Sequence, residues 1–543
     1  MTERGRFFAP APGEALDYSP KGGSEMAQRV ILDAMIRRED FARELQGAAA
    51  PRIGTELKLG DLLPTSAIRR QLRKPEFQRE TNHWTPPQVL KFLTSFVDGG
   101  VIPSIILWRS TNFVFVIDGA HRLSALCAWI ADDYGDATES KNFFSDVISA
   151  EQKRIANRTR SMIKRAIGEY SGLDRLVGTV AADEAGIRAG AMNTRPIIVQ
   201  TVEGNARVAE DSFFAINSQG TPLDETEQYL IRNRSKPISI GARAIARAGS
   251  GHSYWSSFNA KNQAEVASLA ADLHRLLFEP EVTTPLKTLD LPLGGSKSPV
   301  DALAVLIDFL AVADARVNIE KLADAAIPPD DSGDKTVEIM RSGLQIAHRI
   351  TGNGSESLGL HPAVYFSNDK GKHSRFLFLG VCALIAEKLR NNDGGWFRKF
   401  TLARSITERF LIANKSLIGI VLQNLSKRTR VSRMREMFRY LVDEGADGRV
   451  PDAQSVFQHL GLSGKIYDVT STPRSIAFSD DTKSQIFYRQ AIERAIDCPI
   501  CHGLLDTSKS VSYDHITPVR KDGLGSAENG QMVHPYCSSA MKG

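Results

Sequence analysis

The residues best equipped for chemistry lie near the end of the chain, in CPICHGLLDTSKSVSYDHITPVRKDGLGSAENGQMVHPYCSSAMKG. Cys498-x-x-Cys501 and His534-x-x-Cys537 are two ligand pairs at zinc-knuckle spacing. Three thiolates and one imidazole suit a closed, tetrahedral structural zinc site, and a plain zinc ribbon would need no more than these four. Between the pairs stand Asp514, His515 and, farther on, Asn529. A second stretch with chemical capacity is Phe113 to Ile130, FVFVIDGAHRLSALCAWI. Its apolar run ends at Asp118-Gly119, after which Leu123, Leu126, Cys127 and Ile130 recur at helical spacing. This pattern predicts strand, tight turn and helix, with unpaired N–H groups and the positive dipole end at the turn. Gly119 would let a ligand approach the backbone, Arg122 offers a planar fork for phosphate, and His121 a titratable donor. Asp118 could hold a metal or a ribose hydroxyl, or cap the helix.

The elements around that turn follow from the sequence before it. KPEFQRETNHW reads as an extended segment, and Thr85 with Pro86 and Pro87 opens a helix through Val89, Leu90, Leu93 and Phe96. Gly99-Gly100 stops it, and IPSIILW is a strand candidate. The order helix, strand, strand, helix predicts an α+β domain. Residues before about 50 are rich in Ala, Gly, Pro and charge and read as a loose tail, with Met26 to Leu45 a helix candidate within it. From about 236 to 470 the pattern is mainly helical, over Gln263–Leu277, Pro299–Ala313, Arg375–Leu389, Thr401–Leu422 and Arg433–Glu444. Two basic stripes, Glu151–Tyr170 and Ser426–Arg439, could follow a DNA backbone or be solvated charged faces.

The succession FQR, Trp84, the helix, GGVIPSIIL and VIDGAHRLSAL resembles the N-terminal domain of GmrSD-type restriction enzymes, with its DGQQR or DGQHR signature. AEDSFFAINSQGTPLDETEQYLIRN resembles a second signature of that family, with Phe213, Asn217, Gly220 and Leu223 in its FxxxNxxGxxL positions. Ala120 stands where the first signature has Gln. The resemblance implies a ParB/sulfiredoxin-like fold in which Gln78, Arg79, Asp118, Gly119, His121 and Arg122 line a nucleotide or phosphate pocket. In that family the pocket is linked to nucleotide hydrolysis or to sensing modified DNA.

The tail's DHITP followed by Asn529 resembles the HNH, or ββα-metal, nucleases, in which zinc staples a core too small to fold alone. That resemblance implies His515 as general base, Asp514 as ligand of a catalytic Mg²⁺ or Mn²⁺, and Asn529 as the residue that orients the loop bearing His515. Ser538 stands where that family commonly has Asn or His, and serine is a poor metal ligand.

At 543 residues the chain has room for roughly three or four domains, with 42% hydrophobic and 24% charged residues. A net charge of +5 neither demands nor excludes nucleic acid, so any basic surface must be local. Five cysteines, three of them after residue 497, favour metal over disulfides in a reducing compartment, and a cytoplasmic location is expected. No apolar run is long enough to span a bilayer, so no membrane partner is expected. The sequence thus predicts a multidomain α+β protein. Its parts are a loose tail (1–50), a ParB-like sensing domain (51–235), a helical coupling domain (236–470) and a zinc-stapled HNH domain (485–543). The leading expectation is a metal-dependent DNA endonuclease of restriction or anti-phage type, acting on phage or modified DNA, with an NTP as further ligand and homo-oligomers compatible. The alternative is a DNA-binding regulatory protein or an NTPase with a purely structural zinc module.

Overall fold

The computed structural model describes residues 29–41, 50, 52–76, 78, 84–178, 183–219, 224–282, 284–295, 302–462 and 477–541. The N-terminal half is built on a six-stranded sheet of β1 (Arg38–Glu39), β2 (Glu56–Leu57), β3 (Leu72–Pro75), β4 (Ile105–Arg109), β5 (Val114–Asp118) and β6 (Ile197–Val202), in the order β1-β3-β5-β4-β6-β2. The β4–β5 pair is antiparallel, whereas β1–β3, β3–β5 and β4–β6 are parallel. Successive side chains of a strand face opposite sides, and β5 divides accordingly. Val114 and Val116 pack with Leu93, Phe96 and Leu126 on one face. Phe115 and Ile117 pack with Trp108, Ala209 and Phe213 on the other. Because both faces are covered, β5 reads as an unbroken apolar run.

The helix Pro86–Val97 begins as expected: Gln88 reaches back to accept the Thr85 N–H (2.8 Å), and both prolines occupy the first turn. The expected loose tail needs correction for residues 29–41. Val30, Leu32, Met35 and Ile36 are buried in the core, and β1 extends the sheet beside β3. A helix over Met26 to Leu45 is not formed in the described part, where Asp33–Met35 is a 3₁₀ turn and Arg38–Glu39 a strand. The cause is tertiary. Asp33 accepts hydrogen bonds from Arg38 (2.7 Å) and Lys74 (2.6 Å), all three buried, which ties the segment to β3. Burial would raise the Asp33 carboxyl, but the adjacent Arg38 and Lys74 hold it far below the usual carboxylate range.

The middle of the chain is helical and shares one core. Its main helices are Ala260–Phe278, Leu303–Ala313, Asp334–Ile350, Arg375–Arg390, Gly394–Ala413 and Arg430–Ala446. The expected helix Thr401–Leu422 is two, Gly394–Ala413 and Lys415–Asn424, because the chain turns at Asn414. There Lys415 is buried and donates to the Val364 and Ser367 carbonyls (2.8 Å each). Among the described residues no helix is long and apolar enough to cross a membrane.

The C-terminal part contains the antiparallel hairpin of β7 (Ser512–His515) and β8 (Gly530–Val533), followed by a helical turn at Cys537–Met541. It is packed onto the helical middle by a buried ion pair. Arg404 binds Glu408 Oε1 (2.7 Å) and the Leu358 and Gly359 carbonyls (2.5 and 2.8 Å). Glu408 Oε2 in turn accepts the Leu504 N–H (2.7 Å). Arg404 lies so close to Gly503 that a Cβ there would meet its Nε at 2.3 Å. Replacing Arg404 by Met would leave Glu408 charged and buried alone, at a cost of about 3–5 kcal/mol in urea unfolding. The double change Arg404→Met/Glu408→Leu should recover much of that loss; a double variant that loses the sum of the two single-variant losses would mean that the pair carries no coupling.

Candidate metal centre and N-terminal pocket

Four buried residues form the first site. The ligand atoms of Cys498, Cys501, His534 and Cys537 all lie within 4.8 Å of one another. Local turns place them in pairs. Cys498 N–H donates to the Gly503 carbonyl and His502 N–H to the Cys498 carbonyl (2.8 Å each), folding the first knuckle. The second pair follows β8 directly, where Ser538 N–H donates to the His534 carbonyl (3.0 Å). His534 Nδ1 faces the Cys501 and Cys537 sulfurs (3.4 and 4.0 Å), and Nε2 lies 3.0 Å from the Leu504 carbonyl. With Nδ1 as the ligating nitrogen, Nε2–H donates to that carbonyl, which fixes both tautomer and ring orientation. Burial and then the Arg404 charge push the imidazole below its ordinary value, so it stays neutral, as a ligand must. The three thiols share hydrogen bonds with one another, which hold Cys498 well below its usual range and push Cys501 and Cys537 above it. Three sulfurs and one neutral imidazole, all buried, fit a tetrahedral metal such as zinc. Among the described residues no other such cluster of Cys, His, Asp and Glu ligand atoms is drawn together.

The expected catalytic residues sit at the other end of the hairpin. Ser512 pairs with Val533 at the metal end, Asp514 with Gln531, and His515 with Gly530 where the strands part. Asp514 and His515 are half-buried, and Asp514 Oδ1 accepts the His515 N–H (2.8 Å). Asn529 closes the loop between the strands. Its Oδ1 accepts the Thr517 N–H (2.7 Å), and its Nδ2 donates to the Thr517 and Leu524 carbonyls (3.1 and 2.8 Å). The hairpin therefore brings Asp514, His515 and Asn529 together, with the cysteine and histidine ligands at its base.

The strand, turn and helix expected around Gly119 are present. Asp118 ends β5, Gly119 caps the helix Ala120–Ala131 with φ 95°, and a Cβ there would meet Ile105 at 2.5 Å. What approaches Gly119 is the neighbouring strand, so the glycine is required by the fold itself. Arg122 Nη2 binds Asp118 Oδ2 (2.6 Å) and the Ser104 carbonyl (3.1 Å). Asp118 is thus an ion-pair partner and not the helix cap. Its pairing commits one side of the Arg122 fork, while Arg122 Nε, buried, has no hydrogen-bond partner among the described residues. Gln78 Oε1 is likewise buried and unpartnered there, and the Gln78 carbonyl accepts from Arg38 (2.7 Å). His121 stacks on Trp84 (centroids 5.7 Å, 27°). Phe213 is core under the sheet, whereas Arg79, Gly220 and Leu223 lie outside the described residues.

The basic stripes prove partly internal. Arg160 pairs with Asp132 and Asp136, and Arg439 with Glu387 and Glu436, although Lys153, Arg154, Arg158, Lys164, Arg165 and Arg433 are exposed. The residues that reading the sequence missed are Arg404 and Glu408. Their only local signal was a charge pair four residues apart on a helix that also carries Arg398, Lys399 and Arg409.

Metal analysis of the purified chain should find about one zinc, and Cys501→Ser should lower that content to well below half. A full complement of zinc in Cys501→Ser would move the site elsewhere. Neither curated proteins nor solved structures gave a match to the chain. Residues 59–235, from the end of β2 through the segment after Phe213, match the family model described as GmrSD restriction endonuclease, N-terminal domain.

Proposed function

We propose that this chain is a DNA endonuclease of restriction type, in which the N-terminal domain senses a nucleotide or modified DNA and the C-terminal hairpin cuts. The observation that carries this reading is the placement of Asp514, His515 and Asn529 at the open end of a hairpin whose base holds the Cys₃His cluster. An arrangement of two strands and a following turn stapled by a metal supports the HNH assignment, and the match of residues 59–235 supports the restriction context.

In this reading His515 takes the proton from the attacking water, and Asn529 keeps the loop after His515 in place through its three hydrogen bonds. Asp514 supplies a carboxylate at the same end of the hairpin, the donor type that would hold Mg²⁺ or Mn²⁺. Such an ion, when bound, offsets the charge that develops on the phosphate. Ser538, next to the metal ligand Cys537, adds no strong ligand to that set. A metal held by Cys498, Cys501, His534 and Cys537 would be structural, because four buried protein groups would fill a tetrahedral set.

The N-terminal domain would bind its ligand at the Asp118–Arg122 turn, where Arg122 Nε is buried without a partner among the described residues and His121 stacks on Trp84. A buried donor left unpaired is costly, and a bound phosphate oxygen would satisfy it.

Two measurements test the halves of this proposal separately. His515→Ala should lower Mg²⁺- or Mn²⁺-dependent nicking of plasmid DNA by about 10² to 10⁴ while zinc content is unchanged. Undiminished nicking would place the chemistry elsewhere. Arg122→Ala should weaken nucleotide binding or abolish the response to modified phage DNA, by about tenfold or more for loss of a charged hydrogen bond. A variant matching the parent in both would reduce the 118–122 turn to a structural element and leave the nuclease reading intact.

A further inference from the structure

Large apolar side chains gathered on a rigid, exposed loop mark a contact surface, since water disfavours them and a slack loop would fold them inward. The β7–β8 connection holds such a group. Ile516 is 56% exposed, Val519 68% and Leu524 76%, and Tyr513 on β7 is 81% exposed. The connection is not slack. Asn529 ties Thr517 and Leu524, Ile516 N–H donates to the Asn529 carbonyl (2.8 Å), and the Lys521 and Gly523 N–H groups both reach the Pro518 carbonyl (2.8 and 3.2 Å). Asp522 N–H closes a further turn on the Val519 carbonyl (3.0 Å). The apolar groups are therefore held outward by the loop's own hydrogen bonds.

Three features point to the occupant. Arg520 and Lys521, both exposed, stand between Val519 and Leu524, so cationic and apolar groups alternate along one short stretch. The acids of the connection, Asp522 and Glu528, follow that pair. His515 begins the same connection, and Tyr513, two residues earlier on β7, shares its face of the hairpin. A protein surface can take apolar side chains, and a phosphate can take cations. Duplex DNA offers both at once: phosphates a few ångströms apart for Arg and Lys, and base steps that open to Ile, Leu or Val wedges.

We propose that Ile516, Val519 and Leu524 form a wedge that enters a base step of duplex DNA beside the scissile phosphate, with Arg520 and Lys521 on the flanking phosphates. The proposal rests on the nuclease reading and adds to it how the strand is presented. Unstacking one step bends the duplex and turns a phosphate of the backbone toward His515. Its energetic cost falls on the DNA, so sites that are already weak should be preferred: flexible pyrimidine–purine steps, mismatches and nicks. Specificity then arises in part from deformability, at positions with no hydrogen bond to a base.

The experiment uses the full-length, zinc-loaded protein and a short duplex carrying 2-aminopurine, whose fluorescence rises when the base unstacks. The binding arm is measured in the His515→Ala background without added divalent ion, so that cleavage is too slow to intrude. Binding should raise the fluorescence, and adding Val519→Ser/Leu524→Ser should abolish that rise while duplex affinity changes by less than about tenfold, since the phosphate contacts remain. In the cleavage arm, with His515 intact, the double serine variant should cut intact duplex about tenfold or more slowly, yet cut a mismatched duplex nearly as well as the parent. Val519→Met/Leu524→Met, which keeps the apolar bulk, should restore both signals. Zinc content and thermal melting of each variant report that the fold is kept.

Equal fluorescence in the serine variant and its parent overturns the wedge, as does an equal loss of cleavage on intact and mismatched duplex. Loss of self-association in the serine variant, with DNA unstacking and cleavage unchanged, also overturns it and makes the loop a protein interface. Unstacking by a parent that cuts no DNA upholds the wedge and sinks the nuclease reading. Cutting without unstacking does the reverse.

Discussion

One chain of contacts joins the metal cluster to the rest of the molecule. His534 Nε2 meets the Leu504 carbonyl, the Leu504 N–H meets Glu408, and Glu408 is held by Arg404 and by the Tyr365 hydroxyl (2.9 Å). Burial alone would lower the Arg404 guanidinium, but Glu408 and the neighbouring Tyr365 and Cys501 hold it above its ordinary value. A charge pair out of water is stable only when every remaining donor and acceptor finds a partner, and here the Leu358, Gly359 and Leu504 main chains supply them. The metal ligands and the helical core are therefore folded against each other. A small metal module that would be marginal alone gains a rigid base, and its hairpin projects from that base with His515 at the free end.

Further bonds extend this attachment along the hairpin's root. Ser510 Oγ accepts the Gly352 N–H (2.8 Å), Lys509 donates to the Glu279 and Leu291 carbonyls (2.6 and 3.1 Å), and Tyr536 N–H donates to the Ser357 carbonyl (3.0 Å). The helical middle also touches the N-terminal domain. His252 Nε2 lies 3.1 Å from Glu76, two residues before Gln78, and Arg247 lies over the Phe144 ring at 4.9 Å. Glu281 accepts the Ala150 N–H at the start of the Ala150–Ala166 helix (3.1 Å). The segment that carries Gln78 is thus bonded to the same helical body that supports the metal cluster.

The two sites differ in how they use charge. At the end of β5 Asp118 is paired with Arg122 in the first turn of the following helix, with side chains 39% and 18% exposed, so solvent screens the pair. At the C-terminal cluster the charges are buried and have no such screening.

Much of this was legible before folding because it is local. Ligand pairs two residues apart, a β-rich run ending in Asp-Gly, and apolar residues at helical spacing each depend on near neighbours in the chain, and the four metal ligands, the β5–Gly119–helix unit and most middle helices follow those patterns. The sequence by itself determined donor types, element types and the order of elements. Only the tertiary structure decided what each charge faces. The burial of residues 30–36 goes with Lys74, some forty residues away; the break at Asn414 comes where Lys415 binds the Val364 and Ser367 carbonyls; and Asp118 turns to Arg122 instead of capping its helix. Arg404 and Glu408 show the reason most plainly. Their spacing announces a helix pair, but whether it is solvated or buried depends on Leu358, Gly359 and Leu504 arriving from distant parts of the chain, and desolvation is a property of the assembled interior alone.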